Sequence, residues 1–188
     1  MEPKDALIEI IKERSFQYSS MPKFTLSSGE ISNLYFDLKK TAQSPDGLHL
    51  IGEVISQKIK ELGLHPKGIG GLTMGADPIA CAVSMHSYYT NEWIEGFAIR
   101  KEPKKHGLQL PIEGNIKPGD HVIIVDDVVT TGGSTIKAIK AAQDFGLIID
   151  AVMILVDRCE QNGKKNIESY GYPVYSILTV NDFLQPAN

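Results

Sequence analysis

Several short runs of this chain are apolar almost from end to end, and segments of helical periodicity fill the gaps between them. A strand with one wet face alternates apolar and polar residues, whereas a strand covered on both faces has no need to. Gly68–Leu72, the stretch 121–126, Asp150–Val156 and Val174–Leu178 all read as covered strands. Ile94–Arg100 and Leu108–Glu113 read as two more, separated by an intensely polar connection. Between them, Leu48, Ile51, Ile55, Ile59 and Leu62 recur at spacings of three and four after a Ser44-Pro45 start signal, and Gly63 ends the pattern. Residues from about Asp77 to His86 read as a helix, as do Gly133–Phe145, where Ile136, Ile139, Ala142 and Phe145 share a side. Strands of this kind alternating with helices predict an α/β fold: a parallel sheet flanked by helices on both faces. In such sheets ligands bind beyond the carboxyl ends of the strands, so the residues that follow each strand matter most.

The 188 residues suit one domain with one core, preceded by an extension of helix and short strands. That extension holds a helix with Ala6, Leu7, Ile10, Ile11 and Arg14 on one face, a turn-rich stretch 24–29, and a strand over Leu34–Asp37. Acidic residues outnumber basic ones, 23 to 19, for a formal charge of -4, so nothing in the balance attracts nucleic acid or an anionic membrane. An anionic ligand must then be held by a local cluster of positive groups. No apolar run approaches the roughly 20 residues that cross a bilayer, and the N-terminus has no signal-peptide core. Cys81 and Cys159 lie far apart in mostly apolar surroundings. They either form a structural disulfide or, the favoured reading, are two reduced, buried thiols, and a cytoplasmic protein is the simplest expectation.

The most specific local signal is Val122-Ile123-Ile124-Val125-Asp126-Asp127-Val128-Val129-Thr130-Thr131-Gly132-Gly133-Ser134-Thr135. Apolar residues deliver two adjacent carboxylates to the sheet's edge, and hydroxyls and glycines follow where a helix begins. Free amides at a helix start, with hydroxyls around them, make a cup for a phosphate monoester. The carboxylates would repel a phosphate set directly on them. They fit one step back, facing sugar hydroxyls or the water shell of a magnesium ion. The run has neither the lysine of a P-loop nor the Gly-x-Gly-x-x-Gly of dinucleotide folds. A second cluster, Arg100-Lys101-Glu102-Pro103-Lys104-Lys105-His106-Gly107, concentrates positive charge in an otherwise acidic chain and lies between two predicted strands. Exposed basic runs are often merely solvated; on a closing loop this one would neutralise an anionic ligand and exclude water.

Val122–Thr135 resembles the phosphoribosyl pyrophosphate signature of type I phosphoribosyltransferases, and the order Arg-Lys-x-x-Lys-x-His-Gly resembles the flexible loop of the orotate phosphoribosyltransferases. The resemblance spans roughly Phe24 to Arg158. It implies one phosphoribosyltransferase domain over residues 1–188, with a hood over about 1–40 and a β-hairpin flap over about 98–114. It implies transfer of the phosphoribosyl group from phosphoribosyl pyrophosphate to orotate, giving orotidine 5′-monophosphate and diphosphate on the route to UMP. Thr130, Thr131, Gly132, Gly133 and Ser134 would hold the 5-phosphate, with Val128 and Val129 leading into them. Asp126 and Asp127 would organise the ribose, and Arg100, Lys101, Lys104 and His106 would meet the diphosphate, Lys101 counting with the two aspartates as catalytic. Magnesium would be carried by substrate and water, with no direct protein ligand. The loop would reach the neighbouring subunit's site, which makes a homodimer with shared active sites.

Other segments leave choices open. Gly70–Pro78 is either a tight strand-to-helix connection or a diphosphate loop; where many orotate enzymes have a tyrosine-lysine pair, this chain has Met74-Gly75. Some members also have a lysine at the position of Ser27. Tyr35 or Phe36 either stacks on a pyrimidine or packs in the core. Arg158 either pairs with Asp157 or Glu160 or, as the resemblance implies, anchors the orotate carboxylate with help from the Thr130 hydroxyl. Rival functions are the same chemistry on another base, and a phosphoribosyltransferase-like regulator that binds nucleic acid, which the acidic balance disfavours.

Overall fold

A computed structural model describes residues 1–25, 31–101 and 112–184. In chain order they form α1 (Pro3–Arg14), β1 (Phe16–Tyr18), β2 (Phe24–Thr25), β3 (Ile31–Ser32), β4 (Leu34–Phe36), α2 (Lys39–Ala42) and α3 (Pro45–Glu61). Then follow β5 (Gly68–Leu72), α4 (Ala76–Thr90), β6 (Glu95–Ile99), β7 (Ile112–Gly114), β8 (His121–Val129) and α5 (Gly133–Phe145). The chain closes with β9 (Ile148–Asp157), α6 (Gly163–Glu168), β10 (Val174–Thr179) and α7 (Asn181–Leu184).

The main sheet has the order β10-β9-β8-β5-β6-β7, and every neighbouring pair is parallel except β6 with β7. The middles of its central strands β5, β8 and β9 are apolar because both faces are covered. Ile123, Val125, Ala151, Met153 and Leu155 pack with α1, α3 and α4, while Val122, Ile124, Val152 and Ile154 pack with α5 and α6. Burying a Leu, Ile or Val side chain stabilises by about 1.5–3 kcal/mol, so these two cores hold the carboxyl edge of the sheet rigid. The N-terminal extension adds two antiparallel pairs, β1 with β4 and β2 with β3.

Two local expectations change. Arg14 does not join the apolar face of α1; it makes a two-pronged pair with Asp46 at 2.6 and 2.7 Å and also donates to Ser44 Oγ. That guanidinium holds the Asp46 carboxyl well below the usual range. Both cysteines are free, as expected, but both are exposed: Cys81 lies on the outer side of α4, away from Ile79, Ala80 and Val83, and Cys159 lies just past the end of β9. Of the two readings for Phe36, core packing is the one found: it is buried between Phe16, tilted at 5.0 Å, and Phe183, edge-on at 5.1 Å, while Tyr35 stacks on Phe24 at 5.6 Å.

Candidate active site

β8 is longer than its apolar run predicts. It continues through both carboxylates to Val129, with Asp126 opposite Ile154, Val128 opposite Val156 and Val129 opposite Asp157 of β9. The aspartates are therefore part of the strand and not of the loop beyond it. Consecutive strand residues point to opposite faces, and this separates the pair. Asp126 turns towards α5, where Thr135 donates to its Oδ2 at 2.6 Å and the Asp127 amide donates to its Oδ1 at 3.1 Å. Burial first, and the charge of Asp127 second, push the Asp126 carboxyl up to about 7. Asp127 turns towards the loop ahead of α4, so close to Gly75 that a Cβ there would lie 2.4 Å from its Oδ1 and the carboxylate would have to move.

Beyond Val129 the chain turns through Thr130–Gly132 and enters α5, forming a shallow cup at the helix start. Thr130 is half-buried, Thr131, Gly133 and Ser134 are exposed, and Gly132 is buried with φ +83, a conformation that glycine adopts without strain. The cup is braced from behind by α6, where Asn166 Nδ2 donates to the Thr131 carbonyl at 2.9 Å. Gly132 itself packs so closely on Ile167 that an added Cβ would lie 2.8 Å from Cγ1. This brace has no mark in the sequence, because α6 is one short turn-rich helix.

In front of the cup lies a cavity of about 290 Å³ lined by Asp126, Asp127, Ser134, Lys101, Lys39 and the loop Leu72–Gly75. The connection 70–78 is thus both a tight turn and a wall of the site. Lys101 reaches the cavity; Arg100 beside it lies 3.3 Å from Glu113 across the β6–β7 pair. Lys104, His106 and Ser27 lie outside the described residues. Lys39 was not singled out in the sequence: it lies in an ordinary Lys-Lys pair, and only the placement of α2 brings it to the cavity.

Arg158 does not line this cavity. It follows β9, one strand over, where its amide donates to the Val129 carbonyl at 3.1 Å. Its side chain is 3% exposed and runs under the hood, with Nη2 2.9 Å from Ser32 Oγ, 3.4 Å from the Leu34 carbonyl and 2.9 Å from Glu160. Its Nε is buried without a partner among the described residues. Of the two internal partners weighed for Arg158, Glu160 is the one found. Asp157 is occupied elsewhere, accepting from Ser176 and from the Cys159 amide. Ser32 is a second residue that the sequence reading passed over.

A mostly parallel sheet with paired aspartates, a hydroxyl-rich cup and a helix start at its carboxyl edge, under an N-terminal hood, defines a type I phosphoribosyltransferase. No family model matches the chain. A curated orotate phosphoribosyltransferase of Aquifex aeolicus is 43% identical over 184 residues, which is 98% of this chain and 99% of that one. The chain belongs to the orotate phosphoribosyltransferase family. Two crystal structures of the Mycobacterium tuberculosis orotate phosphoribosyltransferase are also similar, both at 30% identity. The one in complex with Fe(III) dicitrate superposes with a TM-score of 0.82, covering 97% of this chain and 99% of that one. The one in complex with 5-phospho-α-D-ribosyl 1-diphosphate superposes with a TM-score of 0.78, covering 96% and 98%.

Proposed function

We propose that this chain transfers the phosphoribosyl group of phosphoribosyl pyrophosphate to orotate, and that residues 1–188 act as one catalytic domain. The carrying observation is the single cavity that gathers Asp126, Asp127, Ser134 and Lys101 at the carboxyl edge of the sheet. The 5-phosphate sits in the Thr130–Ser134 cup, where amides at the start of α5 and the hydroxyls of Thr130, Thr131 and Ser134 receive it. The ribose lies across Asp126 and Asp127, with Val128 and Val129 fixing the strand beneath. The C1–oxygen bond breaks with its electron pair passing to the diphosphate. The orotate ring nitrogen supplies the pair for the new C1–nitrogen bond, its proton passing to solvent. Little general-base work is needed, so positioning and charge neutralisation do most of the catalysis.

Arg158 holds the orotate carboxylate, with the Thr130 hydroxyl nearby. Its buried, unpartnered Nε and the displaceable carboxylate of Glu160 support that role. Arg100, Lys101, Lys104 and His106 meet the diphosphate. Magnesium travels with the donor, and Asp126 and Asp127 offer its water shell the hard oxygen acceptors it favours. When bound, it neutralises charge on the diphosphate. The working unit is a homodimer with shared sites, a reading supported by the exposed Met85, Tyr88, Tyr89 and Trp93 around α4. The compartment is the cytoplasm, as two exposed free thiols suggest. Loss of orotate absorbance on mixing protein, phosphoribosyl pyrophosphate and magnesium tests the function. Unchanged absorbance, with uracil or a purine consumed instead, would transfer the assignment to another base.

A further inference from the structure

We infer that Lys39 supplies the positive charge that meets the donor's diphosphate on the side of the Thr73–Gly75 loop, an inference that rests on the transferase reading above. The loop itself carries no cation: it reads Leu72-Thr73-Met74-Gly75. At Gly75 a Cβ would lie 2.4 Å from Asp127 Oδ1, so a side chain there would require the Asp127 carboxylate to move. Yet the cavity already contains two carboxylates, and a ligand with several negative charges must enter beside them. Among the described residues, Lys39 and Lys101 are the cations that line it. Lys101 comes from the end of β6, and Lys39 comes from a different element, α2.

The base of Lys39 is fixed while its head is free. Leu38 is 1% exposed, and Thr41 is fully buried, its hydroxyl 2.7 Å from Ser15 Oγ and its amide donating to the same oxygen at 3.2 Å. The chain then enters α3 through the Ser44 cap, which is tied to Arg14. The ammonium, by contrast, lies 3.9 Å from Asp37 Oδ1 in a half-exposed pair. Such a pair holds its members weakly, so Lys39 can turn to a phosphate oxygen at little cost. As the C1–oxygen bond breaks, the electron pair moves to the diphosphate, and a lysine here favours that movement as charge builds on the leaving oxygen. Lys40, its neighbour, is exposed and does not line the cavity.

The test compares the full-length protein with Lys39→Ala, Lys39→Arg and Lys40→Ala. Losing a charge-assisted contact lowers kcat/KM for phosphoribosyl pyrophosphate about 10- to 100-fold in Lys39→Ala. Product inhibition by diphosphate weakens by a similar factor, while KM for orotate and the melting temperature stay near their parental values. Lys39→Arg restores most of the loss, and Lys40→Ala behaves like the parent. Parental kinetics and parental diphosphate inhibition in Lys39→Ala overturn the inference. So does an equal loss for both substrates accompanied by a lower melting temperature, which marks a structural role. If the parent protein itself lacks transferase activity, the functional reading fails; calorimetric titration of diphosphate into parent and Lys39→Ala then decides the role of Lys39 separately.

Discussion

The phosphate cup and the corner around Arg158 are built in opposite ways. The cup is continuous: Asp126 to Thr135 forms the end of a strand, a turn and the start of a helix, and Thr135 reaches back only nine residues to Asp126. The Arg158 corner is assembled from distant pieces, with Ser32 at a separation of 126 residues and Leu34 at 124. A site that recognises a phosphate common to many substrates needs only local backbone geometry. On the function proposed above the Arg158 corner selects the base, and its contacts with Ser32 and Leu34 depend on the packing of the N-terminal extension against the sheet. The two should therefore respond differently to mutation.

The largest effect is expected at the cup. Asp127→Ala should lower kcat by about 100-fold or more, the scale seen when a preorganised electrostatic group is removed, with the melting temperature little changed. A variant with parental turnover would remove Asp127 from the ribose. At the corner, Arg158→Ala should lower kcat/KM for orotate by roughly 100-fold and leave donor affinity intact, and Arg158→Lys should not restore it because a lysine lacks the planar fork. Isothermal titration of each substrate separately reads this division, and equal losses for both would erase the contrast between the regions.

Asp126 distinguishes the regions by pH. Its carboxyl is raised to about 7 in the folded chain, above its unfolded value near 4. The stability it contributes is complete below that unfolded value and is lost as pH rises through about 7. Asp126→Asn lacks this titration and should gain on the parent by about 3 kcal/mol between roughly pH 5 and pH 8. Denaturant melts at both pH values measure it, and parallel profiles would show that Asp126 ionises normally. The smallest change belongs to Ser32→Ala, which removes one hydrogen bond to Arg158. About 1 kcal/mol is expected, read as a several-fold rise in KM for orotate alone.

The sheet, its covered strands, the helices between them and the cup were legible in the sequence because each depends on local periodicity or on glycines and hydroxyls at fixed positions. The strand ends were less so: valines on both sides of Asp126 and Asp127 allow β8 to continue, and pairing with β9 decides that it does. The basic run was legible in composition, and of it Arg100 and Lys101 fall within the described residues. Cys81 and Cys159 were misread as buried because apolar neighbours in sequence do not fix which side of a helix or strand end a residue occupies.

By itself, then, the order of residues determined the layered α/β build and the hydroxyl- and glycine-rich turn between β8 and α5, since hydrogen bonding and side-chain periodicity act over a few positions. Only the tertiary structure decided that the two aspartates part to opposite faces, that Arg158 meets Ser32 and Glu160, and that Lys39 arrives at the cavity. The meeting of Arg158 with Ser32 and the arrival of Lys39 join distant segments, brought together by the burial of two cores. The parting of the aspartates and the Arg158–Glu160 pair are local and follow from where β8 and β9 end.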